Sequence, residues 1–515
     1  MLALLASVAA LLLPIQALSH SGATWVNLQR LPEAPSGTRP LVAAATPSFP
    51  VFTFTQPLDH FSDTGVTWEQ RYWVSDRHYK AGGPVIILDS GESSGTGRLA
   101  YMDTGIVDIL ANATGGLGVV LEHRYYGQSI PVQNFTTDSM RWLNIDQALA
   151  DSANFMSNVK FVNISDDLTA PGTPWIYYGG SYAGARSAHM RVRYPDIVFG
   201  AIASSGVTYA TVVDWQYYDI IRQFAPSDCV QQIETTVKEV DDLLENPRAV
   251  QPIKALFGLP NVTHNQDFVS VISGPLGAWQ DKNWDPAVNS PSFDNFCAFL
   301  GSPTSKTVEI AKGIHVNNAT ITYAAYINRT SASRCPATRT QDDCFGSFNA
   351  SQYQATDLSQ TWRSWQFQVC TQFGFLFTAP PAGHPRIVSK LLDLDYASLI
   401  CKFAFPPGEH FTVPPQPDVA AVNALGGLNI AMDRLAIIDG QDDPWRPNTP
   451  HSDIARSRPD TTLRPFKLIP SAVHHYDENG ISNHSAEPEN IRTIHQQEVE
   501  FVLEWLKDFK PPTST

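Results

Sequence analysis

Short apolar runs recur along the first half of the chain, each followed by polar residues and then by a segment of helical period. Residues 84–88 and 118–122 read as buried strands, and residues 145–159 as a helix that returns the chain to the sheet. Residues 175–178 predict another strand, 182–194 a helix, and 199–204 a third buried strand. Strand and helix in alternation build a parallel sheet with helices on its faces, so the fold class is α/β.

The pattern changes from 207 to 425. Ile233, Val237, Val240, Leu243 and Leu244 fall on one face of a helix that Pro247 ends, and no alternating strand signal persists. Strand signals return at 435–438 and 466–469, followed by an amphipathic helix expected over 489–509. The sheet is therefore expected in two parts, 49–206 and 426–515, divided by a mainly helical insertion over 207–425.

The chemistry-bearing residues sit where those strands end. Gly179-Gly180-Ser181-Tyr182-Ala183-Gly184 lies between the apolar run Trp175-Ile176-Tyr177-Tyr178 and the next helix. A serine on such a strand-to-helix turn is pushed out above the sheet, within reach of a substrate carbonyl. Ala183 stands where the usual Gly-x-Ser-x-Gly pattern has its second glycine. After the strand at 435–438 come Asp439, Asp442 and Asp443, and after the strand at 466–469 come His474 and His475. Serine, acid, histidine is the chain order of an α/β-hydrolase. A serine hydroxyl needs an imidazole to take its proton as it attacks, and a carboxylate to hold that imidazole in the right tautomer.

Composition narrows the setting. Of 515 residues 43% are hydrophobic and 17% charged, which fits a globular protein. A net charge of −15 argues against nucleic acid as a partner, because phosphate binding needs a basic face. Residues 1–19 read as a secretory signal peptide, too short in their apolar run to span a bilayer, and no membrane association is expected. Residues 20–48 carry Pro32, Pro35, Pro40 and Pro47 without apolar period and read as a leader or propeptide. Six cysteines, Cys229, Cys297, Cys335, Cys344, Cys370 and Cys401, imply three disulfides in an oxidising compartment, with Cys335–Cys344 the favoured local pair. Sequons at Asn112, Asn134, Asn163, Asn261, Asn318, Asn328, Asn349 and Asn483 agree with a secreted, extracellular glycoprotein.

The chain resembles the S28 serine peptidases, the family of prolyl carboxypeptidase, dipeptidyl peptidase II and fungal prolyl endopeptidases. The resemblance rests on Gln70-Arg71-Tyr72-Trp73, Glu122-His123-Arg124-Tyr125-Tyr126-Gly127, Gly179-Gly180-Ser181-Tyr182, the segment Trp365-Gln366-Phe367-Gln368-Val369-Cys370-Thr371, Asp443-Pro444-Trp445 and His474-His475. It implies an α/β-hydrolase fold with a large, mainly helical, disulfide-bearing insertion. It also implies a triad of Ser181, Asp443 and His474, with His475 the fallback for the histidine. Ala183 and the pair Ala472-Val473 depart from the family's usual residues without removing a reactive group.

The backbone amide of Tyr182 is expected to be one oxyanion donor by the geometry of the elbow, and the loop Asp89-Ser90-Gly91-Glu92-Ser93 the source of the second, at Gly91 or Glu92. Glu92 is also a candidate contact for a substrate terminus. The family implies cleavage after proline, whose compact apolar ring calls for an aromatic pocket, with Trp445 and Trp365 as its candidate walls. The expected activity is that of a secreted serine carboxypeptidase or other exopeptidase on peptide or protein substrates, with no metal or organic cofactor. Proline-specific endopeptidase or dipeptidyl peptidase action on the same site is the alternative, followed by a lipase or esterase and by an inactive secreted binding protein. The sequence leaves homodimer formation open.

Overall fold

The computed structural model describes residues 49–511. The signal peptide and the leader expected over 1–48 lie outside the described residues.

Among the described residues the centre is an eight-stranded sheet. Its first six strands are β1 (Val51–Pro57), β2 (Thr67–Ser75), β3 (Val85–Asp89), β4 (Leu117–Leu121), β5 (Trp175–Gly180) and β6 (Gly200–Ser204). Two short pairs follow: β7 (Thr211–Val213) lies parallel to β10 (Gly374–Leu376), and β8 (Thr307–Ala311) forms a hairpin with β9 (Ile314–Asn317). The sheet closes with β11 (Leu435–Gly440) and β12 (Phe466–Ile469). The strand order is β1-β2-β4-β3-β5-β6-β11-β12.

From β4 to β12 every pairing is parallel, whereas β1 and β2 run antiparallel at one edge. The expectation of a purely parallel sheet is thus corrected to a mixed one. The edge pair escaped the apolar-run reading because β1 alternates, Val51-Phe52-Thr53-Phe54-Thr55, and leaves one face exposed. The central strands are buried on both faces and so read as unbroken apolar runs. The middle region, expected to be mainly helical, also holds four short strands.

Helices that matter for the site are α1 (Ile145–Asn158), α2 (Tyr182–Arg193), α3 (Ser227–Leu244), α4 (Asn318–Thr330), α5 (Trp362–Gln368), α6 (Leu394–Ala404) and α7 (Glu489–Leu506). Asn144 caps α1, its side chain accepting from the Gln147 amide, and this fixes the start that apolar period alone locates loosely. β6 and β11 are neighbours in the sheet although more than two hundred residues separate them, so the helices α3–α6 leave the sheet after β6 and return to it at β11. One apolar core runs from Val85, Ile86 and Ile176 in the sheet through to Phe257, Phe268 and Tyr323 in that helical region. A second, smaller core joins Tyr125, Tyr126 and Phe135 to Trp362, Phe367 and Ile400.

The disulfides are Cys229–Cys297, Cys335–Cys344 and Cys370–Cys401, all within the helical region. The local pair is as expected.

Candidate active site

β5 delivers Ser181 to the top of the sheet. Its backbone is held at φ 62°, ψ −122°, a conformation that costs a non-glycine residue free energy and is typical of a turn tightened for function. The turn is crowded: a Cβ on Gly179 would lie 2.2 Å from the Ala183 carbonyl oxygen, and one on Gly180 would lie 2.3 Å from Glu478 Oε1. At the departure from the usual pattern, Ala183 faces Gly91, where an added Cβ would come within 3.2 Å of the Ala183 methyl. The missing glycine of the elbow is supplied across the gap, by another loop.

Ser181, Asp443 and His474 meet. His474 Nδ1 donates to Asp443 Oδ2 at 2.8 Å, and its Nε2 lies 2.8 Å from Ser181 Oγ. All three are buried. The other Asp443 oxygen accepts the Trp445 amide at 2.9 Å, a bond available because the intervening residue is proline and the chain turns there. Asp439 instead pairs with His451 at 2.6 Å, and Asp442 meets neither histidine of the pair among its hydrogen bonds. His475 faces Glu478, Nδ1 to Oε2 at 3.1 Å. Burial holds the His474 imidazole below its ordinary value, with Asp443 opposing. Burial pushes His475 down as well, but the Glu478 carboxylate more than reverses it and the group ends above its ordinary value. One imidazole is thus set up to stay neutral and its neighbour to carry charge. A neutral imidazole so placed can take the serine proton as the hydroxyl attacks a carbonyl, and return it to a leaving group.

For the oxyanion, the Tyr182 amide is the first of α2, in the turn where helical amides have no intrahelical acceptor. Gly91 does not match expectation. Its amide donates to Asp89 Oδ1 at 2.9 Å, because Asp89 is locked by an ion pair to Arg186 at 2.8 Å and draws in the nearest donor. The loop's alternative is Glu92. Glu92 is half-buried, its Oε2 has no hydrogen-bond partner, and burial raises its carboxyl to about 7 against the pull of Arg98.

A row of buried aromatic rings runs from Tyr182 to His474. Trp365 meets the Tyr182 ring edge-on at 5.6 Å and stacks on Phe373 at 6.2 Å. Phe373 lies 6.1 Å from Phe375, which in turn lies 5.1 Å from Trp445. Trp445 is 6.4 Å from the His474 ring and closes the row. Both tryptophans expected as pocket walls therefore belong to one band flanking the Ser181–His474 pair.

Several supporting residues were missed by sequence reasoning. Tyr182 OH receives a bond from Gln368 Nε2 at 2.7 Å and reaches His123 Nε2 at 3.0 Å, so the residue after the serine is tied to α5. Trp279 donates to the Asp442 carbonyl at 2.9 Å and Trp284 to the Tyr476 carbonyl at 2.8 Å, steadying the acid loop and the histidine loop from the helical region. The Trp445 indole donates to Gln280 Oε1 at 2.6 Å. His123 and Gln368 stand in blocks that carry the family resemblance but no role legible there, whereas Trp279, Gln280 and Trp284 carry no local motif and become visible only once the chain is folded. Glu122 accepts from Arg71 at 2.7 Å and from Ser129 Oγ at 2.7 Å, which joins the Gln70-Arg71 block to the Glu122-His123-Arg124 block.

The family model described as serine carboxypeptidase S28 matches residues 56–497. The chain belongs to the S28 family. It is therefore a serine-type peptidase with an α/β-hydrolase fold. A "Probable extracellular serine carboxypeptidase" of Arthroderma benhamiae is 40% identical over 497 residues, covering 89% of this chain and 68% of that one. The "Serine protease vicPa" of Bipolaris victoriae is 28% identical over 445 residues, covering 82% and 83%. The "Lysosomal Pro-X carboxypeptidase" of Pongo abelii is 24% identical over 508 residues, covering 90% of each. No helix among the described residues of this S28 chain is long and apolar enough to cross a membrane.

Proposed function

We propose that the protein is a secreted serine carboxypeptidase that cleaves after proline, with Ser181 as nucleophile, His474 as general base and acid, and Asp443 as the carboxylate that orients it. The observation that carries this is the pair of 2.8 Å contacts linking the three in series, with Ser181 held at positive φ. Attack by Ser181 Oγ on the scissile carbonyl forms the C–O bond while the proton passes to His474 Nε2. Collapse expels the amine, which takes that proton. Water then repeats the sequence on the acyl-enzyme and frees the serine.

The Tyr182 amide, at the positive end of α2, is the first oxyanion donor, and the Glu92 amide is the second. The band from Trp365 to Trp445 suits a proline ring, which offers apolar surface and no N–H. Glu92 suits the free end of a peptide. In its protonated form it donates a hydrogen bond to a terminal carboxylate, the contact that an exopeptidase acting at the C-terminus requires. Six of the eight sequon asparagines are exposed and the other two, Asn134 and Asn318, are partly so, which leaves all eight open to glycosylation.

Ser181→Ala is expected to lower turnover by about a million-fold, as when one member of a concerted set is lost, and to abolish labelling by a fluorophosphonate probe. Activity retained in that variant overturns the assignment. A peptide panel with proline second from the C-terminus, second from the N-terminus or internal reads the mode of attack: preference for the first supports carboxypeptidase action, and preference for either other overturns it.

A further inference from the structure

Just before α7 the chain gathers two histidines and a glutamate away from the Ser181 machinery. His484 Nδ1 lies 2.9 Å from Glu487 Oε1, and His495 Nδ1 lies 3.0 Å from Glu487 Oε2. The three potential ligand atoms all fall within 4.8 Å of one another. We propose that His484, Glu487 and His495 form a binding site for a divalent transition-metal ion of the zinc type.

Three features carry the proposal. The spacing is the first. Metal–ligand bonds to imidazole nitrogen and carboxylate oxygen are about 2.0–2.2 Å, which puts tetrahedral ligands about 3.4 Å apart, and the 2.9 and 3.0 Å separations at Glu487 open to that spacing with a shift of about half an ångström. The second is the orientation of His495. Its Nε2 lies 3.0 Å from the Asp477 carbonyl, which can only accept, so that nitrogen carries the proton. Its Nδ1, on the other side of the ring, faces the Glu487 carboxylate, so the ring is held between that carbonyl and the place an ion would take. A metal-binding imidazole that donates its other N–H to a backbone carbonyl is the usual way such a ligand is held.

Access is the third. Glu487 and His495 are buried, while the His484 side chain is 45% exposed, which admits an ion and leaves room for water to complete the shell. Arg492 donates to the Ser485 and Glu487 backbone carbonyls and not to the Glu487 carboxylate, whose neighbours are His484, His495 and the Ile481 amide. Two imidazoles with one carboxylate favour a zinc-type ion over calcium or magnesium, which prefer all-oxygen shells.

The placement suggests what the ion does. Asp477 sits three residues after His474, and its carboxylate accepts from Tyr178 Oη on β5 and from Ser204 Oγ on β6, both at 2.6 Å. An ion at Glu487 and His495 therefore clamps the histidine-bearing loop to α7 through the Asp477 carbonyl, as a structural staple outside the reaction itself.

Titration calorimetry of the EDTA-stripped full chain with ZnCl2 tests this, with CaCl2 as the control. One zinc-type site and no calcium response are expected, with binding at least about tenfold weaker in both His484→Ala and Glu487→Gln. His484 is half-exposed, so its alanine variant is expected to keep the fold, which far-ultraviolet circular dichroism checks. Zinc should raise the melting temperature of the wild type and not of His484→Ala. Absence of zinc binding to the wild type overturns the proposal, as does binding that both substitutions leave unchanged.

Discussion

His474 and Glu92 are perturbed in opposite senses by the same cause, removal from water. Burial lowers the imidazole and raises the carboxyl to about 7. An imidazole held low stays neutral, and able to accept a proton, further into acid. The acid limb of kcat/KM is therefore expected below the ordinary histidine value of about 6.5, as a pH–rate profile would show. Glu92 ionises as pH rises through about 7 and then repels a terminal carboxylate, so KM for C-terminal substrates should climb by about tenfold across that range, the worth of a charge-assisted hydrogen bond. Glu92→Gln keeps a donor and loses the titration, and its KM should stay flat over the same range. Trp445→Ala should lower kcat/KM for proline peptides by at least about tenfold, as loss of a fully packed aromatic contact does, and more than for a simple activated ester. At this scale the serine, the acid and the histidine were legible in the chain, because each follows a strand. Position alone left Asp439, Asp442 and Asp443 open, and only the family resemblance, whose acid stands directly before Pro-Trp, singled out Asp443. Gly91 was misread because nothing local signals that Asp89, fixed by Arg186 from α2, captures its amide.

At the level of elements, the buried parallel strands and the helices α1 and α2 were legible within a residue or two, since apolar runs and helical period mark them directly, whereas α7 was read three residues too long and the helix Ile106–Thr114 after β3 was not read. β1 and β2 were not, because an exposed edge strand alternates, and alternation was not the signal in use. The segment Val369–Phe373 could not have been foreseen either: it is a single π-helical turn that redirects the chain from α5 into β10. Such turns recur at functional sites, and this one sets Phe373 and Phe375 beside the reacting groups. Cys370 within it is bonded to Cys401 on α6, closing a separation of 31 residues. Replacing both cysteines by serine should cost about 3–4 kcal/mol of stability on loop entropy, measurable by chemical denaturation, and should weaken proline selectivity more than ester hydrolysis. The Cys335–Cys344 bridge spans only 9 residues, and its loss should cost less.

For the molecule as a whole, several carboxyls are buried with too little opposing charge to offset the loss of water. Burial raises Glu92, Asp214 and Asp281 each to about 7 and Asp477 to about 6, and it lifts Glu498, which has no hydrogen-bond partner on either oxygen, well above the usual range. Each holds a proton in the folded state that the unfolded chain has released above about pH 4. The unfolded state therefore binds fewer protons, and stability falls as pH rises from there through about 7. His123, His189 and His474 oppose this, since their lowered values favour folding as pH rises towards about 6.5, but they are three groups against five. The melting temperature should be several degrees higher at pH 5 than at pH 8, as scanning calorimetry would read; an unchanged or reversed order would count against these assignments.

The proposed nucleophile lies before the long helical region, and its proposed partners lie after it. Ser181 follows β5, whereas Asp443 and His474 follow β11 and β12, which join the sheet only at its far edge beside β6. Translation runs from one end of the chain to the other, so a growing polypeptide carries its serine for more than two hundred and fifty residues before any base exists to activate it. A protease assembled in this order stays chemically silent during its own synthesis. The last strand to dock is also the one that arms it.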